Sequence, residues 1–170
     1  VSVEVPTDRG DDAAMLDIVK IATSARSSTD GSSAVDVASL VAEEIRESMQ
    51  IQALLAKIGT QMGFSIWLPK ADRSRVLKAW TPEPGELLDS LPLGYNSSTT
   101  KTIEQIDVIW LRRRSIARAF EVEHTTSIYS GLLRMADLIA LQPDINVKLH
   151  IVASDEREHK VLEEINRPVF

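Results

Sequence analysis

Asp107, Glu121 and Glu123 sit among the apolar residues of two strand-like runs within IEQIDVIWLRRRSIARAFEVE, residues 103–123. The runs IDVIWL and IARAFEVEHT flank an arginine-rich centre, which reads as a hairpin turning near Arg113 to Ser115. Side chains alternate faces along a strand, so Asp107, Ile109 and Leu111 share one face, as do Ala119, Glu121 and Glu123 on the return. A turn centred on Arg113 and Arg114 sets Asp107 about level with Phe120 and Glu121, gathering the three acids at one end. A half-buried carboxylate is costly unless something positive pairs with it. A hard divalent cation such as Mg²⁺ or Mn²⁺ takes oxygen ligands of this kind and keeps positions for water and a phosphate. That layout suits metal-assisted phosphodiester hydrolysis. Two plainer readings stay open on spacing alone: a solvated strand face, and acidic partners for the nearby arginines.

The elements that position these acids follow from periodicity. From Val37 to Met62 apolar residues recur at three and four, marking an amphipathic helix that Gly59 or Gly63 should end. FSIWLPK, residues 64–70, is β-rich and stopped by Pro69. Residues 71–100, with three prolines and NSSTT, read as more loop than element, a place for a binding loop or a connection. After the hairpin come a helix over TSIYSGLLRMADLIAL, a strand over VKLHIVA, and a final helix over DEREHKVLEEINR capped by Ser154 or Asp155. Upstream, AAMLDIVKIATSAR carries short helical periodicity before the Ser/Gly-rich SSTDGSS. The expected organisation is a helical arm and linker over 1–34 and one α/β domain over 35–170.

With 170 residues and 44% hydrophobic content the chain can bury one ordinary core. No cysteine is present, which excludes disulfides, thiolate zinc sites and cysteine nucleophiles. No apolar run reaches membrane-spanning length and no signal peptide is visible, so no membrane partner and a cytoplasmic location are expected. The chain starts at Val1 rather than Met, as expected of a fragment or a processed chain, which leaves room for a missing upstream domain. The net charge of −6 argues mildly against a broadly phosphate-neutralising surface, although Arg112, Arg113, Arg114 and Arg118 make a local basic patch.

Asp107, the thirteen residues that follow, then Glu121-Val122-Glu123 resemble the PD-(D/E)XK restriction-endonuclease-like nucleases, in the variant whose final lysine is replaced by glutamate. The resemblance covers roughly Glu43 to Phe170 and extends to HTTSIYSGLLRMADL after the motif. It implies a mixed four-stranded sheet flanked by helices, in the order α-β-β-β-α-β-α. It also implies that Asp107, Glu121 and the Val122 carbonyl bind the metal, while Glu123, in the lysine's place, holds or orients the attacking water. Such nucleases often set an acid of the first helix beside the metal. Glu47 is the choice here, with Glu44 as runner-up, and a surface glutamate is the alternative for both. Lys70 and Arg73 at the first strand's exit, and Lys101, are candidate phosphate contacts. Gln52 could order water or a backbone phosphate, or face solvent. Thr125 and Thr126 could cap the following helix, contact a phosphate, or both. Arg134 could pair with Asp137 within its helix or offer a fork to phosphate oxygens. His124 falls on the face away from Asp107 and Glu121, and His150 reads as a core or strand-face residue.

The expected function is a divalent-metal-dependent endonuclease acting on double-stranded DNA, in restriction, defence or repair. A silent nuclease-like module that binds DNA or a protein is the alternative. A third reading is an interaction domain, since the apolar stretch from Met15 to Ile21 permits a homodimer.

Overall fold

The computed structural model describes residues 16–20, 37–94, 97–123, 128–141 and 147–168. In chain order these form β1 (Leu16–Lys20), α1 (Val37–Gln61), β2 (Ser65–Trp67), α2 (Lys70–Val76), α3 (Ser97–Ile103), β3 (Val108–Arg112), β4 (Ser115–Glu123), α4 (Ile128–Leu141), β5 (Lys148–Ala153) and α5 (Glu158–Ile165). A 3-10 turn at Asp155–Arg157 leads into α5; Ser154 stands at its N-terminus without a side-chain capping bond.

The strands make one sheet in the order β1-β5-β4-β3-β2. β3 is antiparallel to both β2 and β4, whereas β4 and β5 are parallel and need the crossover that α4 provides. This is the mixed four-stranded core expected from the sequence. β1 extends it as a fifth strand, parallel to β5. That strand corrects the helix expected in the N-terminal arm. LDIVK contains the β-branched Ile18 and Val19, and the open edge of β5 offers them ladder bonds that a lone short helix cannot match. The rest of 1–36 lies outside the described residues.

Both faces of the sheet are covered. α4 and α5 pack on Ile109, Leu111, Ala119, Leu149 and Ile151 through Ile128, Leu132, Met135, Leu138, Val161 and Ile165. α1 packs on the other face, where Ala53, Leu55 and Ala56 meet Val108, Trp110, Phe120, Val122 and Val152. The buried stripe of α1 is therefore Gln52, Ala53, Leu55, Ala56 and Gly59, in which small residues predominate. Leu54 and Ile58, which apolar periodicity would turn inward, are 44% and 38% exposed. Bulky aromatics on the sheet explain the choice, because Trp110 stacks on Phe64 and tilts against Phe120. At Gly59 the Trp110 ring leaves no room for a side chain. α1 ends in a Schellman turn, with Gly63 at φ +79°, Gly63 N donating to Thr60 O and Phe64 N donating to Gly59 O.

The segment 71–100 carries more structure than its composition suggests, with α2 at its start and α3 at its end. Between them Glu86 to Leu88 lies along β2, where Ile66 N donates to Glu86 O and Leu88 N to Ile66 O. Arg73 holds that segment, donating from Nε to Leu68 O and from its terminal nitrogen to Leu88 O. Among the described residues no helix is long and apolar enough to cross a membrane.

A methyl on Gly59 would lie 2.6 Å from Ile66 Cδ1 and 2.7 Å from Trp110 Nε1. Replacing a helical glycine with alanine ordinarily gains about 1 kcal/mol, while overpacking costs about 1–3 kcal/mol. Gly59→Ala should therefore melt below wild type in a thermal scan, in spite of alanine's helix preference.

Candidate functional site

Register brings the carboxylates together. At the turn Arg112 pairs with Ser115 and Leu111 with Ile116, but further along Trp110 pairs with Arg118 and Val108 with Phe120. One extra residue, Ala117, is bulged out between the two registers. Continuing the turn-side register would set Asp107 opposite Phe120; the bulge advances it to Glu121. The core contacts carry the signature of the flip. Ile116 and Ala119, three residues apart, both face α4, whereas unbroken alternation would put them on opposite sides. Asp107, Glu121 and Glu123 consequently share the α4 face. The bulge is the feature that alternation alone misses.

Asp107, just ahead of β3, is half-buried, and its Oδ2 accepts from Val122 N at 2.8 Å. Glu121 is 1% exposed. It receives a two-pronged donation from Arg134 on α4, Nε to Oε1 at 2.8 Å and the terminal nitrogen to Oε2 at 2.6 Å. This cross-element fork takes the place of the Arg134–Asp137 pair read from helical spacing. Glu123, at 6% exposure, has no hydrogen-bond donor among the described residues.

α4 reaches this close because position 131 is glycine. A Cβ there would lie 2.5 Å from Glu123 Oε1 and 3.3 Å from Glu121 Cβ and Oε2. A glycine in the middle of a helical run was the available signal for this contact, since it costs about 1 kcal/mol against alanine and asks for a packing reason.

The electrostatics are those of crowded, desolvated acids. Burial pushes Asp107 up to about 6, against the pull of the Val122 N–H and the Arg134 charge, and Asp72 on α2 raises it further. Burial pushes Glu121 up to about 8, with the Arg134 fork opposing and Asp107 and Glu123 adding repulsion. Glu123 rises to about 7 through burial and the Asp107 charge, with Arg157 and Arg134 pulling the other way. Arg134 is itself held above its ordinary value, chiefly by its hydrogen bonds to Glu121. The fork uses both Glu121 oxygens as acceptors. Asp72 and Arg157 join the electrostatics of the site without any sequence motif to flag them.

The other expected residues are dispersed. Glu47 is half-buried on α1, seven residues before the exposed Leu54 and on the helix that covers the opposite sheet face. It lines an open groove with Glu43, Arg46 and Gln50, none of them from the hairpin. Gln52 is 1% exposed and its Oε1 has no partner among the described residues, so it presents no surface to a phosphate. Lys70 and Lys101 are exposed. Arg73 is engaged on the 86–88 segment and lies 4.6 Å from the Trp67 ring centre. His150 is buried, stacked on Phe120, with Nε2 2.9 Å from Arg118. His124, Thr125 and Thr126 lie outside the described residues.

The donor set suits a hard divalent ion: the three acids and the Val122 carbonyl offer oxygen atoms only. As the side chains stand, no group of three or more His, Asp or Glu among the described residues is arranged to hold one. Both Glu121 oxygens are turned to Arg134.

Residues 29–170 match the family model described as the type II restriction enzyme NmeDI C-terminal domain. The chain is 34% identical over 135 residues to the type II restriction enzyme NmeDI of Neisseria meningitidis serogroup C, an alignment covering 74% of this chain and 38% of that protein. It therefore spans well under half the length of the curated relative it matches. No solved structure gives a significant match.

A carboxyl held above its ordinary value binds its proton more tightly folded than unfolded. Its contribution to stability is complete below the ordinary range and lost as pH rises through the folded value. With ordinary values of 3.8 and 4.5 and folded values of about 6, 8 and 7, stability should fall from pH 5 to pH 8 without divalent cations. Urea midpoints across that range test this, with Glu121→Gln flattening the slope; a midpoint that rises with pH contradicts it.

Proposed function

This chain belongs to the NmeDI C-terminal domain family of type II restriction enzymes, and on that premise we propose that it hydrolyses phosphodiester bonds in double-stranded DNA with a divalent metal, as an Asp…Glu-X-Glu variant of the PD-(D/E)XK nucleases. The observation that carries this reading is the bulge-set juxtaposition of Asp107 with Glu121 and Glu123 on one buried face. Three acids crowd this face, and the Arg134 fork reaches only one of them, Glu121.

In this reading Asp107, Glu121 and the Val122 carbonyl hold Mg²⁺ or Mn²⁺, which when bound polarises a phosphoryl oxygen and stabilises developing negative charge. The remaining work falls to the chain. A water oxygen forms a bond to phosphorus as the bond from phosphorus to one sugar oxygen breaks. The proton lost by the water goes to a carboxylate, and the departing oxygen gains one from solvent. Glu123 is suited to take that proton, because burial places its carboxyl at about 7, where a general base works best near neutral pH. It thereby replaces the lysine of the commoner motif. Asp107 is fixed by the Val122 N–H, so the two strands orient their acids mutually. Exposed Lys70 and Lys101 supply non-specific attraction for the DNA backbone.

Supercoiled plasmid should be cut in Mg²⁺ and left intact in chelator, with Glu121→Gln lowering the rate by a factor of roughly 10² or more, the scale of losing preorganised charge stabilisation. DNA binding without cleavage at any metal concentration would favour the silent module instead. Gly131→Ala provides a second check. It should melt within about 1 kcal/mol of wild type, since alanine suits a helix and Glu123 can swing aside, yet cleave at least about tenfold more slowly because a displaced base misses its water.

A further inference from the structure

The Glu121–Arg134 fork bears on how the site receives its cation, an inference that rests on the metal-nuclease reading above. Both oxygens of a nearly inaccessible carboxylate are engaged, at 2.8 and 2.6 Å, by a guanidinium whose own side chain is 29% exposed. The donor side of the pair is thus open to solvent and the acceptor side is sealed. Beside it Glu123 is buried without a hydrogen-bond donor among the described residues, and Gly131 keeps the intervening space free of a methyl group. We propose that Arg134 is the resident counter-ion of the carboxylate cluster and that a divalent cation must displace it from Glu121 in order to bind.

Charge and geometry make the two exclusive. An ion ligated by the free lone pairs of Glu121 would stand beside a fixed guanidinium in a site shielded from water, where like charges are poorly screened. Arginine holds a carboxylate bidentately and cannot shed its charge by losing a proton, so relief comes only from movement. Its partly exposed side chain has solvent to move into. The exchange also accounts for the side chains as they stand: with Arg134 in place, no described group of acids is arranged to hold an ion. The site carries its own cation until a metal arrives, which limits the cost of burying three acids.

Mn²⁺ titration of the full chain, followed by electron paramagnetic resonance with folding checked by circular dichroism, tests the exchange on wild type and Arg134→Met. The variant should bind Mn²⁺ roughly tenfold or more tightly, the scale of two charge-assisted hydrogen bonds no longer competing. It should also show a larger Mn²⁺-induced rise in melting temperature. Tighter binding, including binding where wild type shows none, supports the proposal. Equal or weaker binding by the variant overturns it and leaves the metal-nuclease reading intact. Absence of binding by both folded proteins overturns both. Should Arg134→Met not fold, Arg134→Lys, with one donor in place of the fork, should bind more tightly than wild type, and equal or weaker binding overturns the exchange in the same way.

Discussion

Everything at the candidate site depends on the pairing register of one hairpin. A β-strand has a side-chain period of two, so a slip of one residue exchanges its faces completely. The turn at Arg113, with φ 60°, would by itself start a register that leaves Asp107 opposite Phe120. The bulge at Ala117 changes that parity, and its effect extends to the far end of the strand. With the bulge, Phe120 and Val122 pack under α1 while Glu121 and Glu123 turn toward α4. The aromatic cluster of Phe64, Trp110 and Phe120 fixes the same register from the other side. Packing on one face thus enforces chemistry on the other.

Gathering three acids in a desolvated place works against folding, and the molecule limits the damage locally. Arg134 neutralises the most buried acid, the Val122 N–H serves Asp107, and Arg157 and Arg134 ease Glu123. None of these removes the cluster's excess of negative charge. Groups so poised have their proton affinity moved into the neutral range, a pattern that clusters at functional sites and is shared by ion-pair networks.

Much of this was legible in the residues. The helix over Val37–Gln61, the hairpin, the crossover helix and the order of the four core strands all follow from periodicity and turn chemistry. Other features did not, and in three cases a distant partner decides them. LDIVK becomes a strand because β5 has an open edge. α1 buries Ala53, Ala56 and Gly59 instead of Leu54 and Ile58 because Trp110 occupies the room that larger side chains would need. Arg134 reaches across to Glu121 rather than along its own helix to Asp137, which is exposed. At the site itself, Asp107, Glu121 and Glu123 were apparent from spacing, whereas Gly131, Asp72 and the bulge required the packed structure. Gln52 was noticed, but its burial was not foreseeable from a helix whose apolar face is misleading.

The central claim is that the hairpin is a metal platform. Its most direct measurement is a crystal structure of the chain grown with Mn²⁺, with the ion located by anomalous scattering. A single strong peak is expected among Asp107, Glu121 and the Val122 carbonyl, near Glu123 and with Arg134 drawn away from Glu121. A well-ordered crystal with no peak there, and the Glu121–Arg134 fork undisturbed, would contradict the claim.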